Sequence, residues 1–288
     1  MISLKQINKQ KVKAIPIPDE DLRLIKGCDL CPELYANIFL CAKKKSGKTS
    51  AIFKIMKGCT IKKTIIYIFC STIYKDRNWI EIRKHFQNKG MEINVFTSLY
   101  EDGEDQLQKL INQLSAEAQE NEEEPQEEAP QLDRCDDILE RLKGNYHVIK
   151  SNDDDEDEQG KPRKPRKSKH QAPEYMIIFD DLSSELKSRS LLDLLKKNRH
   201  YKTKLIISSQ WVHDLLPESR KQIDLFLIFK GFPQKKVEEI YKDCDNSVPF
   251  ETFLEVYKNA TEKPFSFMYI DTRADKFRRN FDNEFIIT

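Results

Sequence analysis

AKKKSGKTS, residues 42–50, is the stretch on which the fold turns. It closes an apolar run, NIFLCA at 37–42, and opens a segment of helix-forming composition. A tight loop between a strand and a helix aims successive backbone N–H groups at an anion, at a helix end whose dipole favours negative charge. In a phosphate-binding P-loop of this kind the Lys reaches the β and γ phosphates and the next Ser or Thr hydroxyl binds Mg²⁺. Those roles fall to Gly47, Lys48 and Thr49, with Lys45, Ser46 and Ser50 completing the phosphate cradle and Thr49 as a metal ligand. ATP and Mg²⁺ are therefore the expected cofactors. Ala42 stands where such loops usually place their first Gly, and Ala makes the turn only with φ below zero.

Working outward, short apolar runs alternate with longer helix-like stretches. Strands are expected at 37–42, 64–70 (TIIYIFC), 92–97 (EINVFT), 175–180 (YMIIFD), 204–209 (KLIISS) and 224–229 (DLFLIF). Several are apolar at consecutive positions, which strands buried on both faces of a parallel sheet require. The pattern predicts an α/β P-loop NTPase, a mainly parallel sheet between helices. Helices are expected at 234–244 and 249–261, an edge strand at 265–271, and the basic-aromatic tail DKFRRNFDNEFIIT reads as ordinary surface or as an arm that reaches a neighbour or the DNA.

The run YMIIFDDL, 175–182, ends a buried strand in two carboxylates. A P-loop hydrolase needs a strand-end Asp to hold the metal and a neighbouring carboxylate to orient and deprotonate water. Asp180 fits the first role and Asp181 the second. A second polar strand end, Gln210 after KLIISS, sits where a strand inserted between the P-loop strand and the Asp strand would aim a side chain at the γ-phosphate. Arg199, in NRHYKTK, and Arg220, in LPESRKQID, could each supply positive charge to a neighbouring subunit's phosphates. Both also suit a helix end on dipole grounds alone.

The formal net charge is +1, but it is segregated. Residues 116–158 hold 17 acidic against 4 basic side chains, and 159–171 hold 6 basic and no acidic ones. Removing −13 and +6 from the total leaves +8 on the remainder, which suits a polyanionic partner such as nucleic acid. Acidic and Pro/Lys/Arg blocks bury too little apolar surface to order themselves. The chain is accordingly read as one ATPase domain, 1–115 with 173–288, interrupted by a charged, disordered insertion at 116–172 that holds one short helical stretch near 133–143. That insertion is either a loop without a role or an electrostatic arm competing with DNA for the basic surface.

Seven cysteines form no spaced framework, so free thiols in a reducing compartment are expected. The Cys28–Cys31 spacing suits a metal, but no second pair follows to complete a zinc site. No apolar run approaches the length of a membrane span, and the first residues lack the apolar core of a secretory signal, which points to a soluble, intracellular protein with no membrane partner.

AKKKSGKTS, IIFDDL, NRH with LIISSQ, and LPESRKQID together resemble the genome-packaging ATPases of poxviruses, other large DNA viruses and virophages, members of the FtsK/HerA group of DNA pumps. The resemblance runs from residue 37 to 229 outside the insertion. It implies a homo-oligomeric ring threaded by double-stranded DNA, ATP bound between neighbours, and capsid or portal proteins as partners in a virus factory or assembling virion. By that likeness Asp181 stands where cellular pumps usually have Glu, and Gln210 matches a sensor glutamine. The charged insertion is outside the family pattern. The nearest rival is a replication helicase or initiator ATPase, which shares the basic core and ring logic. A nucleotide kinase lacks support, since no Arg-rich lid follows the P-loop.

Overall fold

A computed structural model of the chain describes residues 23–123 and 170–287. Strand β1 (Leu24–Ile25) leads to β2 (Asn37–Cys41), whose five residues are all buried, and the P-loop connects β2 to helix α1 (Lys48–Cys59). Strand β3 (Ile65–Cys70) follows, then α2 (Arg77–Asn88), started by the Asp76 carboxylate accepting from the Asn78 N–H, and β4 (Ile93–Phe96). A hairpin of β5 (Tyr100–Glu101) and β6 (Glu104–Asp105) precedes α3 (Gln106–Glu123).

After the break, β7 (His170–Gln171) pairs in parallel with β1, and β8 (Tyr175–Asp180) enters the main sheet. Helix α4 (Arg189–Lys197) is capped by the Ser188 hydroxyl, which accepts from the Leu191 N–H, and carries Lys196 and Lys197 at its C-terminal end, where the dipole favours them. It returns the chain to β9 (Thr203–Ser209). A short helix, α5 (Pro217–Arg220), leads to β10 (Leu225–Phe229). Helices α6 (Gln234–Asp243) and α7 (Phe250–Ala260), strands β11 (Phe267–Asp271), β12 (Lys276–Arg279) and β13 (Asn283–Glu284) complete the described chain.

Nine of the described strands form one sheet in the order β13-β12-β11-β10-β2-β9-β8-β3-β4. The six from β10 to β4 are parallel, and β11, β12 and β13 are added antiparallel. Helices cover both faces. Ile52, Ile55 and Met56 of α1 pack with Trp79, Ile82 and Phe86 of α2 on one side. Leu107, Leu110 and Leu114 of α3 and Leu191, Leu194 and Leu195 of α4 lie on the other, with Val237, Ile240, Phe253 and Val256 of α6 and α7. Alternate residues of β2 serve the two layers, Ile38 and Leu40 one, Phe39 and Cys41 the other. That is why the strand is apolar without interruption.

Three expectations change. The run at 265–271 is not an edge: β11 lies between β10 and β12 and is buried throughout. The tail does not lie loose on the surface but turns back as β12 and β13, burying Phe277 in the core and setting Arg278 over the ring of Tyr269. The ends of the expected insertion also belong to regular elements. Helix α3 continues through Glu123, with Glu117 accepting from the Tyr175 hydroxyl and Ser115 bonded to Tyr201, and His170 and Gln171 form β7. Their polar composition concealed this, because one apolar stripe, Leu107, Leu110, Ile111 and Leu114, is enough to anchor the helix. The short helical stretch near 133–143, Cys135 and the DDDEDE and KPRKPRKSK blocks lie outside the described residues.

Candidate nucleotide site

The P-loop leaves the sheet between β2 and α1, at the edge where all six parallel strands end. Left-handed backbone falls at Lys45 (φ 62°) and Gly47 (φ 94°), whereas Ala42 is not among the residues with positive φ. The turn out of β2 therefore never needs the glycine that usually stands there. Ser46 Oγ donates to the Lys43 carbonyl at 2.7 Å, closing the loop on itself. Gly47 is the cap of α1, no side chain satisfies the helix's first N–H groups, and no acidic residue stands in its first turn. The Ser50 N–H turns back to the Gly47 carbonyl at 3.1 Å, which leaves the N–H groups of Lys48 and Thr49 for an anion.

Asp180 and Asp181 stand two strands away, at the end of β8. Lys48 Nζ lies 2.9 Å from Asp180 Oδ1 and 3.5 Å from Asp181 Oδ1. The Asp180 side chain is only 3% exposed, that of Asp181 is 34% exposed, and Lys48 is 15% exposed between them. Burial on its own would lower the Lys48 pKa, but the Asp180 carboxylate, helped by Asp181, outweighs it and holds the ammonium above its ordinary value. Lys48 stays charged at any physiological pH.

The second Asp180 oxygen, Oδ2, accepts from the indole Nε1 of Trp79 at 2.9 Å. Oδ1 faces the Lys48 ammonium at 2.9 Å. A buried carboxylate oxygen that reaches the first residue of the P-loop helix, together with the Thr49 hydroxyl one residue further on, is a donor set suited to a hydrated Mg²⁺. Asp181 has φ 59° and Ser183 φ 46°. Asp tolerates this region better than most residues, and strained backbone of this kind is concentrated at functional sites. The Ser71 hydroxyl, just past β3, donates to the Asp181 carbonyl at 2.9 Å and fixes the turn.

Gln210 follows the last residue of β9 and is exposed; β9 runs between β2 and β8, so Gln210 leaves the sheet between the P-loop and the carboxylates. The Ser209 carbonyl accepts from the Ala42 N–H at 2.9 Å, tying that strand end to the start of the P-loop. Thr49 and Ser50 border a cleft of about 530 Å³ between α1 and α2, walled by Phe53, Asn78 and His85.

The two arginines lie elsewhere. Arg199 precedes β9 and is exposed at the opposite sheet edge, one strand length or about 20 Å from its own P-loop. It lines a cavity of about 480 Å³ with Asn37, Asn198, Lys221, Asp224 and Arg273. Arg220 is half-occupied already: its guanidinium donates to Asp243 Oδ2 at 2.6 Å, both side chains largely buried. No contact among the described residues joins either arginine to the P-loop of its own chain.

Sequence reasoning missed Trp79, Ser71 and Asp214, which accepts from the Ser209 hydroxyl. Trp79 was hidden by its spacing with Ile82 and Phe86, which reads as an ordinary apolar helix face. The six described cysteines are free. Cys31 is buried beside Cys59, whose thiol is lowered to about 7 by a hydrogen bond from Cys31 and by nearby Lys204, while Cys28 is exposed. No helix among the described residues is long and apolar enough to cross a membrane.

No family model matches the chain. A protein of Invertebrate iridescent virus 6 described as "Uncharacterized protein 075L" is 26% identical over 105 residues, 35% of this chain and 41% of that protein, so the match spans about two fifths of the relative's length. Among solved structures, the fold is similar to the genome packaging NTPase B204 of Sulfolobus turreted icosahedral virus 2 bound to AMPPCP, with TM-score 0.48, 17% identity and coverage of 85% of this chain and 97% of that one. It is also similar to EssC (ATPases 2 and 3) of Geobacillus thermodenitrificans, with TM-score 0.45, 10% identity, and coverage of 86% of this chain and 38% of that one.

Proposed function

We propose that this chain is an Mg²⁺-dependent ATP hydrolase that moves double-stranded DNA, packaging a viral genome into a capsid as one subunit of a ring. The observation that carries the hydrolase reading is the pairing of one buried and one open carboxylate around Lys48, at the mouth of an uncapped P-loop helix. Lys48 and the first N–H groups of α1 hold the β and γ phosphates, and Thr49 and Asp180 hold the metal. Mg²⁺, when bound, supplies positive charge that offsets charge on the phosphate oxygens. Asp181, reachable by solvent, orients a water in line with the γ-phosphorus and accepts its proton as the bond to ADP breaks. Gln210 positions that water or reports the γ-phosphate.

The DNA part of the reading is supported by the motif resemblance to packaging ATPases and by the +8 charge outside the segregated block. The assay is ATP turnover by the purified protein with and without double-stranded DNA. Turnover stimulated by duplex, without strand separation, is expected; unwinding of the strands would favour the helicase reading. Lys48→Ala and Asp180→Ala should abolish hydrolysis, and Asp181→Asn should bind ATP without turning it over. Normal turnover in Asp181→Asn would remove the carboxylate from the base role.

A further inference from the structure

Phe265 is a large aromatic left 69% exposed, and it has φ 63°, a left-handed conformation that bulky residues rarely adopt. Its turn explains how it is held there. The Ser266 N–H donates to the Lys263 carbonyl at 3.4 Å and the Ser266 hydroxyl donates to the same oxygen at 2.6 Å, so Pro264 and Phe265 are the central pair of a closed turn. Proline first and positive φ second is the type II pattern, whose second position normally goes to Gly. Here it carries an aromatic ring instead, at a cost in backbone strain.

That ring lies against the P-loop. A Cβ on Gly47 would meet Phe265 Cδ1 at 3.5 Å and its Cβ at 3.6 Å. The placement follows from topology: Phe229, ending β10, is in register with Phe267, starting β11, and Ile228 with Cys41, which ends β2. The Lys230 N–H donates to the Ser266 carbonyl, so the turn is fastened to the exit of β10. Asp180 and Asp181 stand on the other side of the P-loop strand, beyond β9. A triphosphate whose γ end faces those carboxylates has its nucleoside end on the β10–β11 side, where Phe265 is exposed.

We propose that Phe265 is the stacking platform for the base of the nucleoside triphosphate. This rests on the P-loop reading above and adds to it the subsite for the nucleoside. A ring face recognises the π-face of a base without reading its edges, and such stacking contributes enough that its loss weakens binding by about tenfold or more. Among the described residues, nothing else calls for an exposed Phe in a glycine position.

The test titrates the full chain with Mg-ATP and, separately, with inorganic tripolyphosphate, which has the phosphates and no base. In Phe265→Ala the ATP affinity should fall about tenfold while tripolyphosphate binds as to wild type. Phe265→Trp should restore ATP binding, with quenching of its indole fluorescence on titration. Phe265→Gly should raise the melting temperature, because glycine suits the turn, and yet weaken ATP. Equal loss of both ligands in Phe265→Ala would overturn the proposal in favour of a role in shaping the loop. Unchanged ATP affinity with an altered oligomeric state would overturn it in favour of a subunit contact. Wild-type protein that bound neither ligand would instead overturn the nucleotide site itself.

Discussion

Asp180 is held from two sides by chemically different partners, an indole N–H on Oδ2 and an ammonium beside Oδ1. The indole bond is directional and buried, so it sets the carboxylate's orientation and leaves the other oxygen facing Lys48, where the proposed Mg²⁺ would bind. Trp79→Phe removes that donor while keeping an aromatic ring. The loss of a hydrogen bond to a buried charged acceptor should cost about 1.5–3 kcal/mol of stability, with a further contribution from lost volume. Turnover should fall more than ATP affinity does, because the P-loop contacts to phosphate are untouched. Urea midpoints and steady-state kinetics on the same preparation check both halves; wild-type stability together with wild-type turnover would show that the bond does not position Asp180.

At the scale of elements, the charged segment is bounded by structure at each end. Helix α3 contributes Leu107, Leu110 and Leu114 to one core layer and reaches Tyr175 and Tyr201 through Glu117 and Ser115. Strand β7 closes on β1. Replacing residues 124–169 by a Gly/Ser linker keeps every one of these contacts, and loop closure depends only weakly on length, so the melting temperature should change little. Cutting 117–172 instead deletes the end of α3 together with β7 and should cost roughly 1–3 kcal/mol. Calorimetry of the two deletions separates them. If the acidic block masks basic surface, the shorter protein should also bind DNA more tightly at low salt.

For the whole molecule, the position of Arg199 constrains any assembly in which it acts. An arginine at the strand-start edge reaches a γ-phosphate only if a neighbour presents its P-loop edge there, which is a head-to-tail contact of the kind that closes rings. Arg220 would first have to leave Asp243. We expect Arg199→Ala to bind ATP and to hydrolyse it about 10³- to 10⁵-fold more slowly. Mixed with Lys48→Ala subunits, which keep Arg199 but lack a working P-loop, it should regain activity at its own sites. Recovery in Arg220→Ala mixtures and none with Arg199→Ala would make Arg220 the arginine that acts in trans.

The core strands were legible to within a residue or two in the order of residues alone, because burial on both faces leaves unbroken apolar runs. The 42–50 loop between a strand and a helix, and Asp180 at a strand end, were legible as well, because phosphate and metal chemistry would demand particular residues at particular spacings. The same patterns misplaced the last strands and the ends of the insertion. Phe267 and Phe277 are core residues only because β10 offers an open edge for β11 to pair with, and that edge exists only once β2 and β9 have assembled. Which carboxylate is buried, that Trp79 meets Asp180 and that Phe265 lies on Gly47 were decided by the tertiary structure. These contacts join residues 101 and more than two hundred positions apart, beyond the reach of any local pattern.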